Sequence, residues 1–154
     1  MERVRSKEVY QGRIINLRQD ILRTPDGNEL QRDVVVHPGA VVVLAVHEGD
    51  LLFVRQYRYA AGEELLELPA GTLEPGEDPM ATAARELQEE AGHKAAKLTK
   101  LCDFYSAPGF CDELLHLYLA EELTESKLPG DEDEQIEVIR LPLQEALKMA
   151  LTGQ

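Results

Sequence analysis

Residues 71–93, GTLEPGEDPMATAARELQEEAGH, hold five glutamates and one aspartate against a single arginine. Within the stretch, Met80, Ala83, Ala84, Leu87 and Ala91 recur at three- and four-residue steps. That period predicts a helix of about three turns with an apolar stripe. Asp78 suits its N-cap, Pro79 its first position and Gly92 its C-terminal cap. Like charges at helical neighbour spacing weaken a helix, so the acids need a reason. On a helix Glu86 and Glu90 share a face with Glu89 beside them, opposite or flanking the stripe. Arg85 stands four residues before Glu89 and can brace it, which leaves Glu86 and Glu90 without an evident cation from the chain. Two or three such carboxylates converging on one spot form a hard-oxygen site of the kind magnesium or manganese prefers. A solvated acidic face fits the same spacing.

The residues in front of the helix bear on that choice. Pro69, Gly71, Pro75 and Gly76 predict a tight loop that fixes the entry into the helix. Glu74 and Glu77 sit on this loop, close to Glu86 and Glu90 if it folds back. Pairing with the helix dipole would account for Glu77 alone but not for so constrained a loop.

Outward from this stretch, β-branched runs and turn signals predict strands. Residues 8–24 give two, with a turn around Asp26-Gly27. Residues 40–58 give two buried strands about a turn at Glu48, Gly49 and Asp50, and residues 62–71 a short extended approach. Beyond the helix come strand-like segments at 95–106, 113–123 and 136–142, an acidic turn at 129–135, and a second amphipathic helix over 141–153. Strands around two helices without strict alternation point to an α+β domain. At 154 residues and 17.2 kDa a single domain is expected. No stretch approaches the roughly 18 apolar residues of a membrane span, and the charged N-terminus lacks a secretory signal pattern. Cys102 and Cys111 lie in no metal-type spacing and read as intracellular thiols, so a cytoplasmic protein is expected. A net charge of −13, from 29 acids against 16 bases, argues against nucleic acid as a partner. By itself an acidic surface signals only solubility.

Gly71, five residues, Glu77, seven residues, then Arg85-Glu86-Leu87-Gln88-Glu89-Glu90-Ala91-Gly92 resembles the Nudix box, the signature of the Nudix hydrolases. The last position of the box, usually a bulky aliphatic, is His93 here, a departure that touches local packing. The resemblance implies a Nudix fold: a mixed β-sheet sandwich flanked by α-helices with a catalytic loop-helix-loop. It implies hydrolysis of a nucleoside diphosphate linked to another moiety. It further implies Glu86 and Glu90 as metal ligands, Glu89 as a further or alternative ligand, and the Ala70 carbonyl completing the shell. Arg85 would orient the acids and Glu77 support them. The cofactor implied is Mg2+, with Mn2+ possible, at two or more ions per site.

Residues 53–77 and 104–120, with Pro108 sixteen positions past Gly92, are similar to the ADP-ribose pyrophosphatase branch, and the likeness runs from about residue 10 to 147. That similarity implies ADP-ribose cleaved to AMP and ribose 5-phosphate. A GDP-sugar, NADH or another dinucleotide are alternatives, and a non-catalytic nucleotide-binding module is a further one. It places Arg58 near the diphosphate or ribose, Arg55 as a weaker candidate, Glu74 near the metal and terminal ribose, and Arg13, Ile14 and Arg32 on the adenine side. Strands within about residues 1–38 would reach a second subunit, giving a homodimer. A further carboxylate must take the proton of the attacking water; Glu132 matches the base of a relative, with Glu134 and Glu113 as rivals. Members of this branch continue past the equivalent of residues 148–154, which implies a shortened chain or a natural variant.

Overall fold

The computed structural model describes residues 1–130 and 135–153. In chain order the strands are β1 (Glu2–Gln11), β2 (Asn16–Arg23), β3 (Glu29–Val36), β4 (Ala40–His47), β5 (Asp50–Arg58), β6 (Glu63–Glu67) and β7 (Ala70–Thr72). Helix α1 (Pro79–Glu90) follows, then β8 (His93–Tyr105), β9 (Leu114–Glu125), β10 (Glu137–Pro142) and α2 (Leu143–Thr152). The arrangement is α+β, as the patterns predict. Two compact units divide the chain: residues 1–40 with 103–115, and residues 41–102 with 116 onward.

In the first unit β1, β2 and β3 form an antiparallel sheet in that order. The β2–β3 link turns at Gly27, whose φ of 87° suits a residue without Cβ. Asp20 is buried in β2 and accepts from Ser6 Oγ at 2.6 Å and Arg18 Nε at 3.0 Å, so its charge is compensated. Residues 110–112 lie along the end of β3: Val35 N–H donates to the Phe110 carbonyl, and Asp112 N–H to the Val35 carbonyl.

The larger sheet runs β10-β5-β4-β9-β8, with β6 on β5 and β7 on β4. Glu48 and Gly49 have φ of 52° and 90°, and His47 pairs with Asp50, so a two-residue mirror-image turn joins β4 to β5. In the second unit the core is built from Val41, Val43, Ala45 and Leu52 on the strands, Tyr118, Ala120 and Leu123 on β9, and Ala83, Leu87 and Ala91 at the helix. Asp78 caps α1 by accepting from the N–H groups of Met80 and Ala81, and Gly92 leaves the helix with φ of 68°.

The face of α1 differs from the stripe the sequence predicts. Met80 is 45% exposed, whereas Thr82, Ala83, Glu86, Leu87 and Glu90 are buried. Glu86 and Glu90 therefore do not stand on an open face. The helix packs against β7 as well as the sheet, and the strand β7 and the loop before it cover the two carboxylates. Periodicity sees only the apolar contribution to burial, so polar groups buried by a covering loop escape it.

Candidate active site

The loop between β7 and α1 is set by one turn. Glu77 N–H donates to the Glu74 carbonyl at 3.0 Å, Pro75 and Gly76 occupy the central positions, and Gly76 has φ of 83°. Pro then Gly with positive φ is the chemistry of a type II turn. The Glu77 carboxylate also accepts from the Glu74 N–H at 3.3 Å, which closes the turn from the side-chain end. The Glu74 side chain itself is exposed.

Arg85 gathers the acids. Its Nε and Nη2 each lie 3.2 Å from the two oxygens of Glu77, a two-pronged contact. Its Nη1 lies 2.8 Å from Glu86 Oε1 and 2.8 Å from Glu89 Oε2. This corrects the expectation from helical spacing that Glu86 lacks an evident cation. A guanidinium carries five donors, enough for several carboxylates at once. Glu90 is braced differently: the backbone N–H of Ala70 donates to its Oε2 at 2.8 Å. Gly71 has a steric reason for being glycine, since a Cβ there would overlap the Glu86 carboxylate.

Hydrogen bonds from Arg85 hold the Glu77 carboxyl below the ordinary glutamate value of 4.5, against the opposing effect of burial. The same bonds, Glu77 first and then the charges of Glu86 and Glu89, raise Arg85 above its usual value.

Glu86 and Glu90 are 9% and 7% exposed, and the four box carboxylates gather around the Arg85 guanidinium and the Ala70 amide. Such an excess of hard oxygens in a covered corner fits a divalent cation. Among the described residues no three His, Cys, Asp or Glu side chains are grouped as around a metal ion, and the Arg85 guanidinium lies between Glu86 and Glu89.

The segment after β9 is tied to the end of the helix. Ser126 N–H donates to the Gly92 carbonyl, Leu128 N–H to the Gln88 carbonyl, and Ser126 Oγ to Gln88 Oε1 at 3.1 Å. A Cβ at Gly130 would stand 3.7 Å from the Glu89 carbonyl oxygen. Glu132 and Glu134 lie outside the described residues.

A model described as the NUDIX domain matches residues 35–154. The chain belongs to the Nudix hydrolase family. A second model, the nucleoside diphosphate sugar hydrolase N-terminal domain, matches residues 1–35 of this Nudix protein. It is 46% identical over 149 residues to an ADP-ribose pyrophosphatase of Bacillus subtilis (strain 168), covering 95% of this chain and 80% of the relative. It is 40% identical over 148 residues to a methanol dehydrogenase activator of Bacillus methanolicus, at 94% and 80% coverage. A solved structure described as an ADP compounds hydrolase superposes with a TM-score of 0.87 at 25% identity, over 97% of this chain and 82% of that one. Nudix hydrolases are generally dependent on a divalent metal. Among the described residues no helix is long and apolar enough to cross a membrane.

The remaining sequence candidates are spread over both units. Arg58, at the end of β5, is bound to Glu67, with Nη2 2.7 Å from Oε2 and Nε 2.9 Å from Oε1. Arg55 pairs with Glu137 of β10 at 3.1 Å. In the first unit, Arg13 and Ile14 are exposed beside a turn in which Gly12 N–H donates to the Ile15 carbonyl. Arg32 is exposed on β3 and donates to the Gln31 carbonyl. Glu113 accepts from Ser106 Oγ at 2.5 Å and lies 3.5 Å from His37 Nδ1. Sequence reasoning did not find the Ala70 amide, Glu67 or Gln88. The first is a backbone group with no side-chain signal, and the other two sit at positions where any polar residue would read the same.

The Arg85–Glu77 pair makes a prediction about acid. Glu77 titrates lower in the folded chain than unfolded, so its contribution to stability is complete above about pH 4.5 and is lost as pH falls through the depressed folded value. Urea unfolding of metal-free protein between pH 3 and 6 should show a shallower acid limb for Glu77→Gln than for the wild type; superimposable limbs would refute the assignment.

Proposed function

We propose that this Nudix hydrolase cleaves the diphosphate linkage of ADP-ribose, giving AMP and ribose 5-phosphate, and accepts other nucleoside diphosphate sugars more slowly. The observation that carries the reading is the buried set of carboxylates under residues 70–71, gathered by Arg85 and the Ala70 amide. The name of the Bacillus subtilis relative and the N-terminal match to nucleoside diphosphate sugar hydrolases support the substrate class.

Glu86, Glu90 and Glu89, with the Ala70 carbonyl, would hold two or more Mg2+ ions, which Mn2+ can replace. Once bound, such ions polarise the phosphorus centre, lower the pKa of a water and offset the charge of the diphosphate. Arg85 orients Glu86 and Glu89, and Glu77 fixes Arg85 from the other side. The attacking water gives its proton to Glu132 as its oxygen bonds to phosphorus and the bridging P–O bond breaks. Glu132 is chosen over Glu134 because it matches the base of a relative, and both lie outside the described residues. Glu113, already accepting from Ser106, ranks behind both. Arg58 contacts the diphosphate, Glu74 the terminal ribose, and Arg13, Ile14 and Arg32 the adenine side.

The whole chain acts as one functional domain in the cytoplasm, in keeping with free thiols at Cys102 and Cys111. Residues 1–38 join two copies into a homodimer, consistent with exposed Val9, Tyr10, Ile14 and Ile15. Sedimentation of the full chain should then give twice 17.2 kDa; a monomer at micromolar concentration contradicts the dimer.

A coupled phosphate-release screen of nucleotide sugars and dinucleotides, with and without Mg2+, tests the substrate and the metal together. ADP-ribose should give the highest kcat/KM; preference for a GDP-sugar would move the substrate within the same class. Glu86→Gln and Glu90→Gln should each lower kcat by about a thousandfold or more while the protein stays folded. Full turnover of either variant in saturating chelator would end the metal reading. For Glu132→Gln, kcat should fall about a hundredfold or more at nearly constant KM, the scale of one acid–base group. Unchanged turnover there would pass the role to Glu134 or Glu113.

A further inference from the structure

Arg58 and Glu67 meet in a way the strand register alone does not require. On the β5–β6 ladder Arg58 stands opposite Glu63, whereas Glu67 stands opposite Val54, four residues back along β5. Side chains of 54, 56 and 58 and of 63, 65 and 67 share one face of this ladder. To reach Glu67, the Arg58 side chain must therefore lie back along that face rather than extend from the strand tip. Two prongs fix the end of it, Nε to Oε1 at 2.9 Å and Nη2 to Oε2 at 2.7 Å. The carboxylate takes the Nε–Nη2 edge, so the Nη1 end is directed away from Glu67.

Glu67 is itself held on a rigid piece of chain. It ends β6, and the next residues lead through buried Pro69, whose carbonyl accepts from Val43 N–H at 2.8 Å, to Ala70. Ala70 N–H is the group that braces Glu90. Ala70 is three steps along the chain from Glu67, at most about 11 Å. The side chains of Arg58 and Glu67 are 41% and 25% exposed, and an ion pair in such a setting adds little to folding stability. Its main physical effect is on conformation: a long arginine is held against Glu67, at the end of β6 that leads to Ala70.

We infer that Glu67 is a positioning residue, aiming the Arg58 guanidinium at the diphosphate before substrate arrives. The inference rests on the reading of Arg58 as a diphosphate contact. Ordering an arginine only upon binding would cost affinity, and the Glu67 clamp removes that cost in advance.

Initial-rate kinetics on ADP-ribose with Mg2+, together with thermal unfolding, test it in the full chain. Glu67→Ala should raise KM roughly three- to tenfold with kcat within about twofold and the unfolding midpoint nearly unchanged. Glu67→Gln, which keeps one acceptor oxygen, should raise KM less. Arg58→Ala should raise KM at least as much, and adding Glu67→Ala to it should raise KM no further. If Arg58→Ala raises KM and Glu67→Ala does not, the positioning role is wrong and the contact stands. If Arg58→Ala leaves KM unchanged, the contact itself fails and takes the positioning role with it. Equal effects of Glu67→Ala with and without Arg58, or a shift in the unfolding midpoint alone, would also overturn it.

Discussion

Everything near the catalytic helix answers one electrostatic constraint: four carboxylates must be kept together in a partly covered corner with a single guanidinium among them. Ionised groups removed from water are costly unless paired and hydrogen-bonded. Arg85 spreads its donors over Glu77, Glu86 and Glu89, and a backbone amide serves Glu90. The supporting parts follow from that need. Gly71 lacks a Cβ where the Glu86 carboxylate must pass, and the Pro75-Gly76 turn brings Glu77 back onto Arg85. A corner so rich in carboxylate oxygens fits the divalent-cation dependence general to the family.

Stability for this arrangement comes from elsewhere on the helix. Acids three and four apart repel along α1, and no basic residue stands in its last turn to offset the dipole. Asp78 caps the first turn with two hydrogen bonds, and Leu87 enters the core fully buried between Ala83 and Ala91. Small neighbours let the helix approach the sheet closely, so a single large side chain anchors it. The side of α1 that buries the acids is correspondingly covered by β7 rather than by more hydrophobic packing.

How much of this was legible in the sequence depends on what kind of signal each part leaves. Most of the strand pattern, the Glu48-Gly49 turn, the Asp78 cap and the Gly92 exit are local chemistry legible in the sequence, whereas the start of β1 at Glu2 and the separation of β6 from β7 are not. The identities of the acids were legible because their spacing is fixed in the chain. Their burial was not, since it depends on a loop folding over them, and apolar periodicity instead favoured Met80, which is exposed. Arg85 illustrates the same limit. Helical spacing points to Glu89, but only three-dimensional placement of the loop brings Glu77, and only the reach of Nη1 brings Glu86.

The net charge of −13 bears on how an anionic substrate approaches such a chain. Long-range repulsion from an acidic protein acts over a Debye length, about 8 Å at physiological ionic strength, so beyond that distance salt largely removes it. Nearer in, local charges decide. Arg58 gives a cation at the end of β5, partly offset by Glu67, so on the proposed reading it would supply direction more than net attraction. Divalent ions among the carboxylates would supply the attraction. Such a division would make affinity for a diphosphate contingent on metal, whereas a cluster of arginines would bind any phosphate without it. On the proposed reading, an acidic corner with one guanidinium held by Glu67 would select for a metal-bound diphosphate over free anions, and a charge pattern adverse to the bare substrate would become the source of its discrimination.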